Sequence, residues 1–150
     1  MPKARKTARE KLEKEQERKV VDTAKGKMLV PRPLDIDALV RKIEKGKLAT
    51  IDQIRKRLAH DFHAGYTCPL CSGMFLRIAA EAAEEDLAQG QQHVTPYWRV
   101  IKANGCLNEK LPGGVEGQAA RLREEGHTIE PGKGRKPPVV KDFERYLQVL

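Results

Sequence analysis

The sequence predicts a mainly α-helical protein, in which a winged-helix-like helix-turn-helix domain with a short hairpin follows a charged N-terminal helical arm and precedes a C-terminal helix. Apolar residues recur at helical spacing in consecutive segments, and Gly and Pro residues separate these segments. Charged residues make up 33% of the 150 residues and aromatic residues 5%, which is typical of a small helical core with polar extensions. We expect residues 1–33 to form the arm and a linker, 34–128 the domain and 129–150 the tail.

The N-terminal arm is basic and poor in apolar anchors. Residues 3–22 contain Leu12, Val20 and Val21 among mixed charges, so a helix there would bury little and we expect it to be solvated. Residues 1–33 carry eleven Lys or Arg against five acidic residues, within a net charge of +8. This asymmetry indicates DNA or another polyanion as a partner, and a purely solubilising role is the alternative.

Three helices are predicted after an extended, proline-flanked linker at residues 31–33. The first has Asp35 as its cap and apolar residues on one face. The second begins at Thr50, with Gln53 in the capping-box position. The third is the strongest and runs from Ser72, as its cap, to residue 88. Three helices in this order match a helix-turn-helix unit that can place one helix in a DNA groove.

The remainder of the chain is rich in turns. Residues 97–102 are extended in character, Asn104-Gly105 predicts a hairpin turn, and Cys106-Leu107 predicts a short return strand. Two more helices are predicted, over 115–125 and 141–150.

Several function classes are disfavoured by what the sequence lacks. No apolar run approaches the roughly 18 residues needed to cross a bilayer, and charges follow Met1 where a signal peptide would be apolar. We therefore expect a cytoplasmic monomer without membrane contact. The cysteines Cys68, Cys71 and Cys106 are odd in number, so a disulfide framework is not expected, and metal binding, reactive thiols or packing remain.

Three motifs follow one another between Asp35 and His127. They read Lys45-Gly46-Lys47-Leu48-Ala49-Thr50-Ile51-Asp52-Gln53-Ile54, Pro96-Tyr97-Trp98-Arg99-Val100, and Gly113-Gly114 followed by Leu122-Arg123-Glu124-Glu125-Gly126. With these motifs the span resembles the C-terminal, DNA-binding domain of the O6-alkylguanine-DNA alkyltransferases and their alkyltransferase-like relatives. At these places the family reads Thr-Tyr-Gly-x-Ile-Ala, Pro-Cys-His-Arg-Val, and Gly-Gly with a later Leu-x-x-Glu-Gly.

This sequence departs from the family pattern at the positions that carry out alkyl transfer. Tyr97 stands where the family has the alkyl-accepting Cys and Trp98 where it has the activating His, so Glu125 is what remains of the triad. A phenol with a pKa of about 10 is a poor substitute for a thiolate at neutral pH. The resemblance therefore implies the alkyltransferase-like branch: a non-catalytic DNA-binding protein that recognises alkylated or flipped bases for repair. Tyr97, Trp98 and Glu125 are the expected base pocket, and a filled aromatic core is the alternative.

The resemblance also implies a set of DNA contacts. Arg77 is the nearest match to the family's intercalating Arg, near the start of the recognition helix, and Arg99 is expected to brace the loop and helix ends. The positions expected at the DNA interface are Thr50, Ser72, Arg77, Arg99, Gly113 and Gly114. The expected partners are duplex DNA with a damaged base and a downstream repair protein.

Two further hypotheses use the cysteines. An enzyme of the methylated-DNA-protein cysteine methyltransferase type would need Cys68, Cys71 or Cys106 as a displaced acceptor. A zinc-stabilised or scaffold interaction module would use the partial zinc-ribbon pattern of His60, His63, Cys68 and Cys71. Because that pattern has no second Cys-x-x-Cys, we expect no cofactor and two partly buried thiols that cap the third helix.

Overall fold

A computed structural model describes residues 7–14 and 16–150 of the chain. Its helices are α1 (Ala8–Glu13), α2 (Pro33–Val40), α3 (Ile51–Asp61), α4 (Pro69–Ala88) and α5 (Gly114–Glu124). Its strands are β1 (Lys19–Thr23), β2 (Gly26–Val30), β3 (Ala49–Thr50), β4 (Tyr66–Thr67), β5 (Val100–Ile101), β6 (Ile129–Glu130) and β7 (Val139–Val140). Single 3₁₀ turns occur at Tyr97–Arg99 and Phe143–Tyr146. The mainly α-helical prediction is thus confirmed, with small sheets added.

The three helices predicted between residues 34 and 88 all form, as α2, α3 and α4. The capping box at the start of α3 is confirmed: the Gln53 amide donates to Thr50 Oγ1 at 3.1 Å, and the Thr50 amide donates to Gln53 Oε1 at 2.8 Å. Both groups lie within one turn, so the local sequence determines this contact.

The predicted caps of α2 and α4 are wrong by three and four residues. α2 begins at Pro33, and Asp35 acts from inside the first turn, where its carboxylate accepts from the Arg32 amide at 2.9 Å. α4 begins at Pro69 with Cys68 as its N-cap, while the Ser72 hydroxyl donates back to the Cys68 carbonyl at 2.8 Å. In both helices a proline occupies the first position, where its missing N–H costs nothing.

The segment around Tyr97 is held by a pairing that the sequence did not predict. β5 pairs in parallel with β3, so that Ala49 lies opposite Val100. The turn at Gly105 forms, with a φ of 84°, and the Lys102 amide donates across it to the Cys106 carbonyl at 3.0 Å. Within residues 97–107 no longer ladder follows, because β5 pairs with β3 and Cys106 bridges Val139.

The predicted solvated N-terminal helix is wrong in extent and in exposure. α1 ends at Glu13, and Ala8 and Leu12 are buried against Ala79 and Ala82 of α4. The Glu85 carboxylate accepts from two amides in the first turn of α1, which suits the positive end of a helix. The alanine surface of α4 lets α1 approach closely, and this partner is not visible in residues 3–22 alone. Residues 1–6 and 15 lie outside the described residues.

A β-hairpin replaces the end of the helix that was expected over residues 3–22 and precedes the linker. β1 and β2 pair antiparallel from Lys19 opposite Val30 to Thr23 opposite Gly26, and β2 pairs in parallel with β4. The β-branched residues that looked like weak helix anchors favour a strand here.

The prediction of a helix over residues 141–150 is also wrong. A single 3₁₀ turn at Phe143–Tyr146 is followed there by an extended segment. The Leu48 amide donates to the Tyr146 carbonyl at 2.9 Å, and the Gln148 side chain bonds Lys42 O and the Glu44 amide at 2.7 and 2.8 Å. These bonds satisfy backbone groups in the α2–α3 connection, which a free helix would not reach.

One apolar core joins α2, α3, α4, α5 and the β3–β5 pair. Its largest fully buried side chains include Ile36, Ile54, Ile101, Leu107 and Leu122. Within residues 7–14 and 16–150, no helix is both long enough and apolar enough to span a membrane. The winged arrangement and the division into arm, domain and tail stay predictions.

Candidate nucleic-acid interface

The residues of the second motif lie in the core between α4 and α5. The Tyr97 hydroxyl donates to the Glu84 carboxylate, and Trp98 Nε1 donates to Glu125 Oε2 at 2.8 Å. The two aromatic rings meet edge to face, with their centroids 5.3 Å apart. Arg121 lies over the face of the Trp98 ring at 4.5 Å, so a cation also covers the indole.

Glu125 connects the third motif to the second and the first. Arg99 donates to it through Nε and Nη2, at 2.9 and 2.8 Å, and also donates to the Ile43 carbonyl through Nη1. The Gly46 amide donates to the same carboxylate at 3.2 Å. Burial would raise the pKa of Glu125, but the bonds from Arg99, Trp98 and Gly46 lower it below its ordinary value. The carboxylate therefore connects three segments: the turn at Gly46, the 3₁₀ turn at Arg99 and the end of α5.

Tyr97 is held in its neutral form. Burial first, and then its hydrogen bond to Glu84, raise the pKa of the phenol well above its ordinary value. A protonated phenol is a weak nucleophile, so Tyr97 does not replace a thiolate at neutral pH.

A cavity of about 290 Å³ lies beside this network, between the start of α3, the first turns of α4, β5 and residues 108–110. Its apolar walls come from both helices and from β5. The residues that line it are Ile51, Arg55, Pro69, Gly73, Leu76, Val100, Ile101, Lys102, Asn108, Glu109 and Lys110.

The rim of this cavity is positively charged. The charged residues that line it are three basic ones, Arg55, Lys102 and Lys110, and one acidic one, Glu109. Arg55 is fixed by two bonds to the Thr67 carbonyl, at 3.1 and 3.0 Å, and Lys102 pairs with Glu109 at 3.0 Å. The arrangement offers an apolar slot with cations at its edge, which suits a flat group attached to phosphates.

Comparison with solved structures relates this architecture to a known fold. The chain is similar to S. pombe Atl1, an alkyltransferase-like protein, with a TM-score of 0.54 and 21% sequence identity, over 77% of this chain and 93% of that chain. This chain has the alkyltransferase-like fold. The Atl1 structure is a complex with damaged DNA containing O6-carboxymethylguanine. No protein-family model and no curated protein matches the sequence of this chain.

The predicted base-pocket residues are brought together only in part by the alkyltransferase-like fold. Trp98 meets Glu125, whereas Tyr97 points to Glu84. Tyr97 is 2% exposed and Trp98 9%, and none of the three predicted residues lines the 290 Å³ cavity. The network is filled by its own side chains, and a role for it in binding a base stays a prediction.

The predicted DNA contacts are divided between the interior and the surface. Thr50 and Ser72 are buried, and their hydroxyls bond backbone groups at the starts of α3 and α4. Arg77 is exposed and pairs with Glu81 at 3.0 Å. Gly113 and Gly114 adopt positive φ angles of 82° and 64° where α5 begins, a conformation that favours glycine.

Of the two thiols expected to cap the third helix, that of Cys68 does so. Cys68 Sγ accepts from the Cys71 amide at 3.3 Å, at the start of α4. Burial, followed by the contact with Cys68, raises the pKa of the Cys71 thiol to about 11. In the part of the chain that the structure describes, no group of three or more His, Cys, Asp or Glu residues is placed to hold a metal ion. His60 lies in α3, and His63 follows it with a φ of 56°.

Sequence reasoning missed His127 and the cavity. His127 is buried edge to face against Tyr146, with the ring centroids 4.8 Å apart, and neither ring nitrogen has a hydrogen-bond partner among the described residues. Burial lowers its pKa, and Glu125 opposes this. The cavity is assembled from separate segments of chain, so no single motif could indicate it, although Ile51 of the first motif and Val100 of the second line it. The Leu-x-x-Glu-Gly motif ends beside His127 and was the nearest sequence signal.

Proposed function

We propose that this protein is a non-catalytic DNA-binding protein of the alkyltransferase-like type, which recognises an alkylated base in duplex DNA. The observation that carries the proposal is the 290 Å³ cavity with apolar walls and a cationic rim beside α4. The fold shared with Atl1, whose structure contains damaged DNA, supports the same conclusion.

An extruded base fits the character of this cavity. Its volume is at the lower end of the range of about 300 to 1,000 Å³ for ligand pockets, so it suits one small planar group. The half-buried Ile51 offers apolar contact to a base, with the buried Leu76 and Ile101 behind it, while Lys102 and Lys110 lie where phosphates on either side could be neutralised. Base flipping would deliver the damaged nucleotide to this slot.

The state of the candidate nucleophiles supports a binding protein over an enzyme. Alkyl transfer to a cysteine requires a thiolate. Cys71, the least buried of the three cysteines, has a pKa raised to about 11, and Cys68 and Cys106 are buried. The Tyr97 phenol is likewise held neutral. None of the three cysteines lines the cavity.

Fluorescence anisotropy with matched duplexes tests the proposal. The duplexes carry O6-carboxymethylguanine, O6-methylguanine or guanine at one position, and we expect tighter binding to at least one lesion than to guanine. Equal affinity for all three duplexes would contradict lesion recognition.

Intact-mass spectrometry of the protein after incubation with the O6-methylguanine duplex separates a binder from an enzyme. We expect no mass gain, whereas a stable gain of one methyl group on a cysteine would show alkyl transfer. The downstream repair protein, the monomeric state and the cytoplasmic location stay predictions from the sequence.

A further inference from the structure

We propose that Cys68 and Cys71 form a redox-active dithiol, which exchanges with the disulfides of low-molecular-weight thiols and closes into a reversible disulfide. The site lies at the start of α4 and is independent of the proposed DNA binding. It gives a chemical role to the Cys-Pro-Leu-Cys motif at residues 68–71.

The two cysteines lie at the distance that a disulfide requires. Cys68 is the N-cap of α4 and Cys71 is its third residue, with the helical residues Pro69 and Leu70 between them. Helix geometry places the two Cα atoms about 5 Å apart, which is inside the range of about 4.4 to 6.8 Å that disulfides span. A bond between the two sulfur atoms therefore needs rotation of side chains and no movement of the helix.

The two thiols are already in contact. Cys68 Sγ accepts from the Cys71 amide at 3.3 Å, and the thiols are within hydrogen-bond distance of each other. Burial, followed by this contact with Cys68, raises the pKa of the Cys71 thiol to about 11, and Lys19 opposes the rise. Because the Cys71 thiolate is not stabilised, ionisation at neutral pH adds no stability to the reduced form, and this favours the disulfide.

Cys71 is the thiol that an external disulfide reaches first. Its side chain is half-buried, whereas Cys68 is 8% exposed. Pro69 and Leu70 are exposed, so the segment between the cysteines faces solvent. Lys19 lies near the Cys71 thiol, and its charge favours the approach of disulfides that carry carboxylates. The accessible thiol therefore makes the first attack, and the buried one completes the exchange.

The exchange takes place in two steps that conserve atoms and electrons. The Cys71 thiolate attacks one sulfur of the external disulfide, so a mixed disulfide forms and one small thiolate leaves and takes up a proton. The Cys68 sulfur loses its proton to solvent and attacks the Cys71 sulfur, and the second small thiolate leaves and takes up a proton. The two cysteines lose two electrons, and the external disulfide is reduced to two thiols.

Peptide mass spectrometry of the full chain after exposure to glutathione disulfide tests the proposal. A chelator is present throughout, and the remaining thiols are blocked with iodoacetamide in denaturant before digestion with trypsin. No Lys or Arg lies between residues 58 and 76, so Cys68 and Cys71 stay in one tryptic peptide, 58–77, while Cys106 lies in peptide 103–110. Cys71→Ser removes the attacking thiol, and Cys106→Ser is the matched control. Circular dichroism confirms that each variant is folded.

We expect peptide 58–77 of wild type to lose two hydrogen atoms and to carry no blocking group, while Cys106 is blocked. Dithiothreitol added before the blocking step should restore a blocking group on both Cys68 and Cys71. Cys106→Ser should behave as wild type, and Cys71→Ser should form no disulfide within the chain. Because the pKa of Cys71 is about 11, the rate should rise about tenfold per pH unit between pH 7 and pH 9.

Three results overturn the inference. If peptide 58–77 of the folded wild type keeps both blocking groups, the two thiols do not exchange. If glutathione stays attached to Cys71 as a stable mixed disulfide, Cys68 does not complete the exchange. If the rate does not depend on pH, the attack does not proceed through a thiolate. None of these results bears on lesion discrimination, so the proposed function is tested separately.

Discussion

Two neighbouring regions of this fold, the network around Glu125 and the cavity beside α4, both combine apolar and charged side chains. They differ in whether those side chains fill the space between them. Around Glu125 the partners Trp98 and Arg99 fill space and satisfy one another in the interior. Across the first turns of α4, the cavity is open and its cations lie at the rim, with Lys110 exposed. A cluster whose polar groups are already paired has little left to offer a ligand. The difference indicates that the network around Glu125 maintains the fold, whereas the cavity, lined in part by Ile51 of the first motif and Val100 of the second, is where we propose that DNA binds.

Removal of the Glu125 charge should have the largest effect on stability. In Glu125→Gln the buried Arg99 guanidinium keeps its position but loses its charged partner, so we expect the free energy of unfolding to fall by about 3 kcal/mol. Urea unfolding measures this. Glu124→Gln, at an exposed neighbouring position, should change stability by less than about 0.5 kcal/mol.

The DNA affinity of Glu125→Gln tests the same comparison between the network and the cavity. At a protein concentration and temperature where Glu125→Gln stays folded, its affinity for the lesion duplex should match that of wild type. A loss of lesion discrimination with an intact fold would place the DNA site in the filled network and contradict the division between the two regions.

Replacement of the buried histidine should have a smaller effect, and in the opposite direction. His127→Phe removes two buried nitrogens without partners, so we expect the free energy of unfolding to rise by about 1 kcal/mol. Because burial lowers the pKa of His127, the unfolded chain takes up a proton that the folded chain does not as the pH falls below about 6.5. Wild type should therefore lose stability between pH 7 and pH 5.

The pH dependence is measured by urea unfolding at several pH values. His127→Phe should show a flatter profile over this range, and His93→Gln, at an exposed position, should follow wild type. An unchanged profile in His127→Phe would mean that another group controls the loss at low pH.

Replacement of Lys110 should have the smallest effect, and this effect should be on DNA affinity and not on stability. Lys110→Gln should weaken DNA binding several-fold for lesion and guanine duplexes alike, and should lower the slope of log affinity against log salt by about 1, as for one lost phosphate contact. Stability should not change, because Lys110 is exposed. Lys133→Gln is the control, since this exposed lysine does not line the cavity. Equal salt slopes for the two variants would argue against a rim that contacts phosphates.

The parts of the fold that could be predicted from the sequence are those that neighbouring residues determine. The capping box of Thr50 and Gln53 lies within one turn, and the helical period of α4 is visible in 20 consecutive residues. The burial of Leu12 depends on alanines about 70 residues away, and the pairing of Ala49 with Val100 joins segments about 50 residues apart. Such contacts leave no periodic signal in either segment alone.

The candidate site follows the same rule. Trp98 and Glu125, which belong to two of the predicted motifs, are in contact in the structure. Whether those side chains enclose a space or fill it depends on how Tyr97 reaches Glu84, which belongs to no motif. The cavity needs α3, α4, β5 and residues 108–110 at once, so it becomes visible only in the folded chain.

We propose that the cavity beside α4 receives the damaged base, and the network of Tyr97, Trp98 and Glu125 is the alternative site that the sequence predicts. The most direct test is lesion discrimination by Gly73→Phe, because Gly73 lines the cavity and has open space for a new ring. Ala88→Phe, at an exposed position near the end of α4, is the matched control. Anisotropy with O6-carboxymethylguanine and guanine duplexes should show that Gly73→Phe loses the preference for the lesion while Ala88→Phe keeps it. A folded Gly73→Phe protein with the full preference of wild type would contradict the claim.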